Sequence, residues 1–158
     1  RRIIGGAWHF AGDPYLRGQI AMRSGENLLV TVYGADEKIS AGLVALDGLF
    51  LACRKETAIE VGFDSKTFDG WHLYDLDFTY RASRKGMSCV TCNEILAVHA
   101  SQGDYGTDWL KYAERFIAKH NIPRGDSIFH NPDLASLEVR SPEEWRQVTN
   151  YLMTQRQN

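Results

Sequence analysis

Cysteine is scarce in this chain of 158 residues, where Cys53, Cys89 and Cys92 are the only three. An odd count argues against a disulfide framework, and reduced thiols in a cytoplasmic protein are the plain reading. Cys89-Val90-Thr91-Cys92 is a lone CxxC. Zinc needs two further ligands at suitable spacing, and neither a second CxxC nor a paired histidine motif supplies them. A redox motif needs a thiol of depressed pKa at a helix start, whereas this one runs toward the apolar stretch Ile95–Val98. Excess charge is also missing. Lys and Arg total 18 against 20 for Asp and Glu, a net charge of −2, so the basic footprint of a nucleic-acid binder is absent. No apolar run approaches the roughly 20 residues that cross a bilayer. The opening Arg1-Arg2-Ile3-Ile4-Gly5-Gly6 lacks the long apolar core of a signal peptide. Repeats and low-complexity segments are not evident. The first residue is not Met, so a longer parent chain is expected.

The composition that remains is that of one globular domain, 44% hydrophobic and 24% charged. A chain of this length buries roughly 70% of its unfolded surface, enough for a real core. Ile3–Phe10 and Leu28–Tyr33 read as strands bounded by glycine. Leu43–Ala52 reads as a buried strand interrupted at Asp47-Gly48. Arg54–Val61 follows as a short helix, with Gly62 placed to end it in the left-handed conformation. In the next helix, about Leu73–Lys85, Leu73, Leu76 and Tyr80 recur on one face and Gly86 supplies the stop. Met87–His99 carries a strand, chiefly Glu94–His99, expected in one sheet with Leu43–Ala52. Asp108–His120 is a helix with Trp109, Tyr112 and Phe116 on one face, closed by Asn121 and Pro123. Ser141-Pro142-Glu143-Glu144 is a capping box that starts a last helix, on which Trp145, Val148 and Leu152 share a face. The pattern is α/β.

The run Thr67–Arg81, TFDGWHLYDLDFTYR, holds three aspartates among aromatics. Asp75 and Asp77 fall at the front of a helix, where residues i and i+2 point about 200° apart and cannot easily share a ligand. Asp77 lies four residues before Arg81, the favourable order for a helical ion pair near the exposed side. Asp75 then points toward whatever Trp71, His72 and Tyr74 line. A carboxylate at a helix start stays ionised and suits a general base acting on a hydroxyl. It equally suits a bland role as a dipole-stabilised acid, worth under ~1 kcal/mol. These residues alone leave both readings open. Asp47 is likewise open between a functional and a strand-break aspartate, His99 and His72 between functional and hydrogen-bonded histidines, and Trp71 between a functional and a core role.

A set of spaced motifs runs from Asp47-Gly48-Leu49-Phe50-Leu51-Ala52, through Gly62-Phe63-Asp64, to Phe68-Asp69-Gly70-Trp71-His72-Leu73-Tyr74-Asp75-Leu76-Asp77-Phe78, with Arg81, Gly86 and Val98-His99 after it. This order resembles the second half of a family 2-type glycosyltransferase domain of the GT-A fold, over about Ile3 to His120. The resemblance implies a partial GT-A-like mixed sheet flanked by helices: residues 1–125 form the acceptor and catalytic-base half, and 126–158 a C-terminal loop and helix packed on it. In the family a segment (Glu/Asp)-Asp-x-Asp-(hydrophobic)-x-x-Arg starts a helix below the donor sugar, and its second acid is the base. Asp75 matches that base, while Tyr74 stands where the first acid is commonest, a form similar to one subgroup of these transferases. His99 matches a position where some members supply a metal ligand. Asp47, Gly48, Trp71, His72 and Asp77 are the implied substrate-binding residues, with Trp71 stacking on a sugar face.

The resemblance further implies a nucleotide-sugar donor, a saccharide or other hydroxyl acceptor, and Mn²⁺ or Mg²⁺ held mostly by an N-terminal half. That half carries an Asp-x-Asp strand end in the family. Here the only D-x-D is Asp75-Leu76-Asp77, in a helical context, and a Gly-rich phosphate loop is absent. The chain therefore reads as the catalytic-base half of an inverting transferase, with self-association expected where the other half would pack. The alternative is a non-catalytic carbohydrate-binding or interaction module keeping the same half-fold.

Overall fold

The structure, a computed structural model, describes residues 1–5, 9–10, 16–33, 37–100, 106–121, 134–139 and 144. Its strands are β1 (Arg2–Gly5), β2 (His9–Phe10), β3 (Leu16–Ser24), β4 (Asn27–Tyr33), β5 (Ile39–Leu43), β6 (Ala45–Leu46) and β7 (Leu51–Cys53). Helices α1 (Lys55–Val61) and α2 (Tyr74–Arg84) follow, then β8 (Ser88–Cys92), β9 (Val98–His99), α3 (Thr107–His120) and β10 (Leu134–Val139). The protein is α/β with mixed sheets. A four-stranded sheet has the order β5-β8-β1-β7, with β1 and β8 parallel and the outer pairings antiparallel. A second sheet runs β10-β4-β3-β2-β6, and β9 joins it in parallel to β3.

The apolar core lies between the first sheet and the helices. Ile3, Leu43, Leu46, Val61, Phe78 and Cys89 are all buried together there. A polar strut links the two sheets. Gln19 of β3 donates to the Asn93 carbonyl at 2.7 Å, and the Asn93 amide donates to the Glu37 carbonyl at 2.6 Å and to Ser40 Oγ at 2.9 Å. Buried amides with their partners in place fix one relative position of the sheets, because an unmet partner costs about 1–3 kcal/mol.

Several expectations meet corrections. Leu43–Ala52 is not one strand: β5 ends at Leu43, β6 covers Ala45–Leu46, and a turn at Gly48-Leu49 precedes β7. The strand expected at Glu94–His99 is mainly Ser88–Cys92, and Val98–His99 belongs to the second sheet, as β6 does, rather than to the sheet of β5 and β7. The reason is that the CxxC run is itself the buried strand, whose alternation the two cysteines conceal. Cys89 packs into the core, and burial pushes its thiol up to about 11, so it stays protonated. The hairpin β3–β4 was not legible as two strands, because Leu16–Ser24 holds Gly18 and two arginines. Its two-residue turn sits at Gly25-Glu26, with Gly25 at φ +62°. Segment 126–158, read as loop and helix, contributes β10 paired with β4. The helix started by Ser141 lies outside the described residues except Glu144.

The helices match their sequence signals closely. Gly62 ends α1 with φ +62° and ψ 159°, a region reserved for glycine rather than the left-handed helical one, and its N–H bonds the Ala58 carbonyl at 2.9 Å. Gly86 follows α2 with φ +76°, and Asn121 ends α3 in the left-handed conformation. Among the described residues no helix is long and apolar enough to cross a membrane.

Candidate functional site

α2 is laid on β6 by one threonine. Thr79 Oγ1 accepts the Leu46 N–H at 2.9 Å and donates to the Asp75 carbonyl one turn earlier at 2.8 Å. Ser83 Oγ donates to the Val44 carbonyl at 2.9 Å, further along the same seam. This docking sets the first turn of α2 against the turn that follows β6, so Asp75 meets Asp47-Gly48. The Gly48 N–H donates to Asp75 Oδ2 at 2.6 Å. A Cβ at position 48 would lie 2.7 Å from that oxygen and 2.8 Å from the Asp75 Cβ. Glycine is required here for closeness of approach, since its φ is unexceptional.

Leu73, the residue that caps α2, is strained. It holds φ 60° and ψ 6°, the left-handed conformation, which costs a non-glycine residue roughly 1–2 kcal/mol. Its buried side chain, packed with Phe68, Tyr112 and Phe116, holds it there. The sharp entry swings the chain from the exposed Trp71 into a helix whose second residue is Asp75.

The electrostatics of Asp75 run against the usual helix-start acid. It is 8% exposed, and its pKa is raised from 3.8 to about 6. Desolvation is the first cause and the nearby Asp47 carboxylate the second, opposed by the N–H groups of Leu76 and Gly48. A helix dipole contributes about 0.3–1 kcal/mol in favour of the anion. A two-unit rise is roughly 3 kcal/mol against it, so desolvation wins. Asp47 is also raised, first by burial, while the Leu49 N–H at 2.9 Å and the charge of His99 pull it back. Asp47, Gly48 and Asp75 are thus brought together, where the turn after β6 meets the start of α2, and His99 of β9 lies close enough for its charge to act on Asp47. Tyr74 borders them: its hydroxyl is pushed up by burial, then by the charges of Asp75 and Asp47.

Asp77 is elsewhere, and the expectation that it lies near the exposed side is corrected. It is 0% exposed. Arg81 Nε donates to its Oδ2 at 2.8 Å, the expected i, i+4 pair. Lys119 Nζ lies 2.7 Å from Oδ1, and His120 Nε2 2.8 Å from the same oxygen. α3 covers Asp77 with Lys119 and His120, 42 and 43 residues away in the chain, which helical spacing alone could not reveal. Arg81 also donates to the Val61 and Gly62 carbonyls at 2.6 Å each, closing the end of α1. Both oxygens of Asp77 are committed, so it serves architecture in this arrangement.

Trp71 is 80% exposed, with its ring centroid 6.2 Å from that of Tyr74. It stands beside the acid site but does not cover Asp75. His72 turns the other way, its ring 6.0 Å from Tyr112 of α3. The loop that carries both is clamped to α3. Arg115 donates to Asp69 Oδ1 at 2.6 Å and to the Thr67 carbonyl at 2.8 Å, the Tyr112 hydroxyl donates to Asp69 at 3.0 Å, and Lys119 lies 2.7 Å from Asp64. Those partners hold the Asp69 and Asp64 carboxyls below the usual range. Phe63, Asp64 and Asp69 belong to the spaced motifs of the sequence, but the partners of Asp64 and Asp69 on α3 lie 43 to 55 residues away, beyond the reach of any local pattern.

Among the described residues no three His, Cys, Asp or Glu side chains gather as a metal-binding set. His99 and Asp47 therefore do not by themselves make a metal centre. A groove of ≈ 540 Å³ lies at the far end of α2, lined by Arg81, Arg84, Lys85, Lys119 and His120 among others. Arg81, Lys119 and His120 face Asp77, and all five basic side chains sit at the C-terminal ends of α2 and α3 or just beyond, where unsatisfied carbonyls favour positive charge. We therefore assign it to the architecture. Comparison of the chain with protein-family models, with curated proteins and with solved structures finds no match.

Proposed function

We propose that this chain is the catalytic-base half of an inverting, nucleotide-sugar-dependent glycosyltransferase. Asp75 is its general base. The observation that carries this reading is a buried carboxylate facing a second carboxylate and a glycine N–H, where an ion pair would be expected of a structural acid. A base poised near 6 is ionised at neutral pH yet accepts a proton readily. In the reaction, an acceptor hydroxyl gives its proton to the Asp75 carboxylate as its own oxygen attacks the anomeric carbon. That carbon–oxygen bond forms opposite the leaving nucleoside diphosphate, which departs with the electron pair of the bond that breaks. Gly48 holds one Asp75 oxygen and so aims the other. Asp47 accepts a hydrogen bond from a sugar hydroxyl, and Trp71 offers a face to a sugar ring. Mn²⁺ or Mg²⁺ would belong to this reading only with further ligands beyond His99.

The test is Asp75→Asn in the parent protein, assayed for nucleoside diphosphate release beside a thermal melt. The amide keeps the shape and cannot take the proton. Loss of about 10²–10⁴ in rate with folding intact is expected. Near wild-type turnover would give the base to another residue. The second reading, a carbohydrate-binding module without transfer, is favoured equally by the exposure of Trp71. It predicts sugar binding without turnover in the unaltered protein.

A further inference from the structure

We infer that the acceptor is a saccharide of at least two sugar rings, laid along an aromatic row made by Trp71, Tyr74 and Phe63. The inference rests on the acceptor reading of the Asp75 site and adds a subsite at Phe63. Phe63 is 57% exposed and Trp71 80% exposed, unusual for large aromatics in a domain with room to bury them. Their ring centroids lie 6.1 Å and 6.2 Å from that of Tyr74, so both rings adjoin it. Phe63 is backed by the buried Phe78, stacked at 4.6 Å with planes 21° apart, so one face is fixed from below and the ring is presented outward. The middle ring, Tyr74, opens α2 next to Asp75, and its hydroxyl feels both Asp75 and Asp47.

Flat faces beside carboxylates match one ligand chemistry. A pyranose lays its C–H face on an aromatic ring and points its rim of hydroxyls at hydrogen-bond acceptors. An acyl chain or an apolar protein surface would use the rings but would bring no hydroxyl to Asp75. Each step along the row is about the length of one sugar ring. A hydroxyl held at Asp75 therefore leaves the rest of its chain running over the row, with a neighbouring ring in reach of Phe63. A single-ring acceptor would leave one exposed aromatic unused.

The experiment measures binding to the purified 158-residue chain by ¹⁵N NMR, following the Trp71 indole N–H, assigned with Trp71→Phe. The probes are glucose, galactose and N-acetylglucosamine, each against its β-linked disaccharide: cellobiose, lactose and chitobiose. The expected result is that at least one disaccharide binds about tenfold or more tighter than its monosaccharide, and that Phe63→Ala erases the difference. Phe63→Leu, which keeps apolar contact with Phe78 but loses the flat ring, should erase it too, so a folding failure of the alanine variant does not decide the matter. Equal affinity of every disaccharide and its monosaccharide overturns the proposal, and so does failure of all six sugars to bind. It also falls if phosphatidylcholine vesicles shift the Trp71 signal while sugars do not, or if Phe63→Leu turns a sedimenting dimer into a monomer. Asp75→Asn separates this inference from the base assignment. A variant that still transfers sugar while the chain-length preference persists removes the base and leaves the subsite. Lost transfer with no chain-length preference does the reverse.

Discussion

Asp75 and Asp77 sit two residues apart on one helix, both buried, and the protein treats them oppositely. Asp77 meets Arg81, Lys119 and His120, three cationic or cation-capable groups around two oxygens. Among the described residues Asp75 meets only backbone N–H groups and the field of another carboxylate. Burial of a charge costs several kcal/mol unless partners repay it, so a buried acid with cations is explained by packing. A buried acid without them holds a proton-accepting capacity that packing does not use. The difference teaches that exposure alone does not sort structural from chemical acids. The sign of the neighbours does.

Three substitutions would break or sharpen that contrast. The largest effect is expected from Asp75→Asn on transfer, about 10²–10⁴ in rate. In the unaltered protein the rate should rise as pH passes about 6 and level off above it, since only the ionised form accepts the proton. A flat profile from pH 5 to 8 would deny Asp75 the role. Next, Asp77→Ala should destabilise by about 3–5 kcal/mol in urea unfolding, because Arg81 and Lys119 lose their buried partner. A cost below ~1 kcal/mol would restore the surface reading. Third, Gly48→Ala pushes a methyl into the Asp75 carboxylate and should cut transfer about 10²-fold while the chain still folds. Unchanged kinetics would mean that the close approach is idle.

The smallest effect carries an opposite sign. Asp75 binds its proton more tightly folded, at about 6, than at the ordinary 3.8. Its favourable contribution is therefore complete below about pH 4 and is lost as pH rises through about 6. Asp75→Asn should then be more stable than the parent at pH 7.5, by up to roughly 2–3 kcal/mol, with the gap closing toward pH 4. Paired melts across that range check it. A variant less stable at pH 7.5 would show that the carboxylate earns its place through contacts instead.

How legible all this was depends on the reach of each interaction. The helices declared themselves through local signals, with Gly62, Gly86 and Asn121 at their ends and aromatic residues spaced along α3. The meeting of Asp47-Gly48 with Asp75 was anticipated only by the order of motifs, since no periodicity says which turn a helix start will touch. Asp77 was misplaced because its second and third partners come from α3, and a one-helix view shows only Arg81. β3 and β8 were missed or shifted for a related reason. Their glycine, arginine and cysteine residues are tolerated by neighbours that the local pattern cannot display.

The parallel pairing of β3 with β9 carries a last consequence, for the order in which the molecule assembles. His99 comes within electrostatic reach of Asp47 only after Val98 has paired with Ala21, a partner far away in the chain and in a different hairpin. Such distant parallel contacts close late, because the entropy of the intervening loop is lost before the contact rewards it. The helices and the β3–β4 hairpin can form on local contacts while the site is still open. On refolding, helical signal should return ahead of sugar binding, and the lag between them would measure how long the chain is folded in outline and still chemically blank.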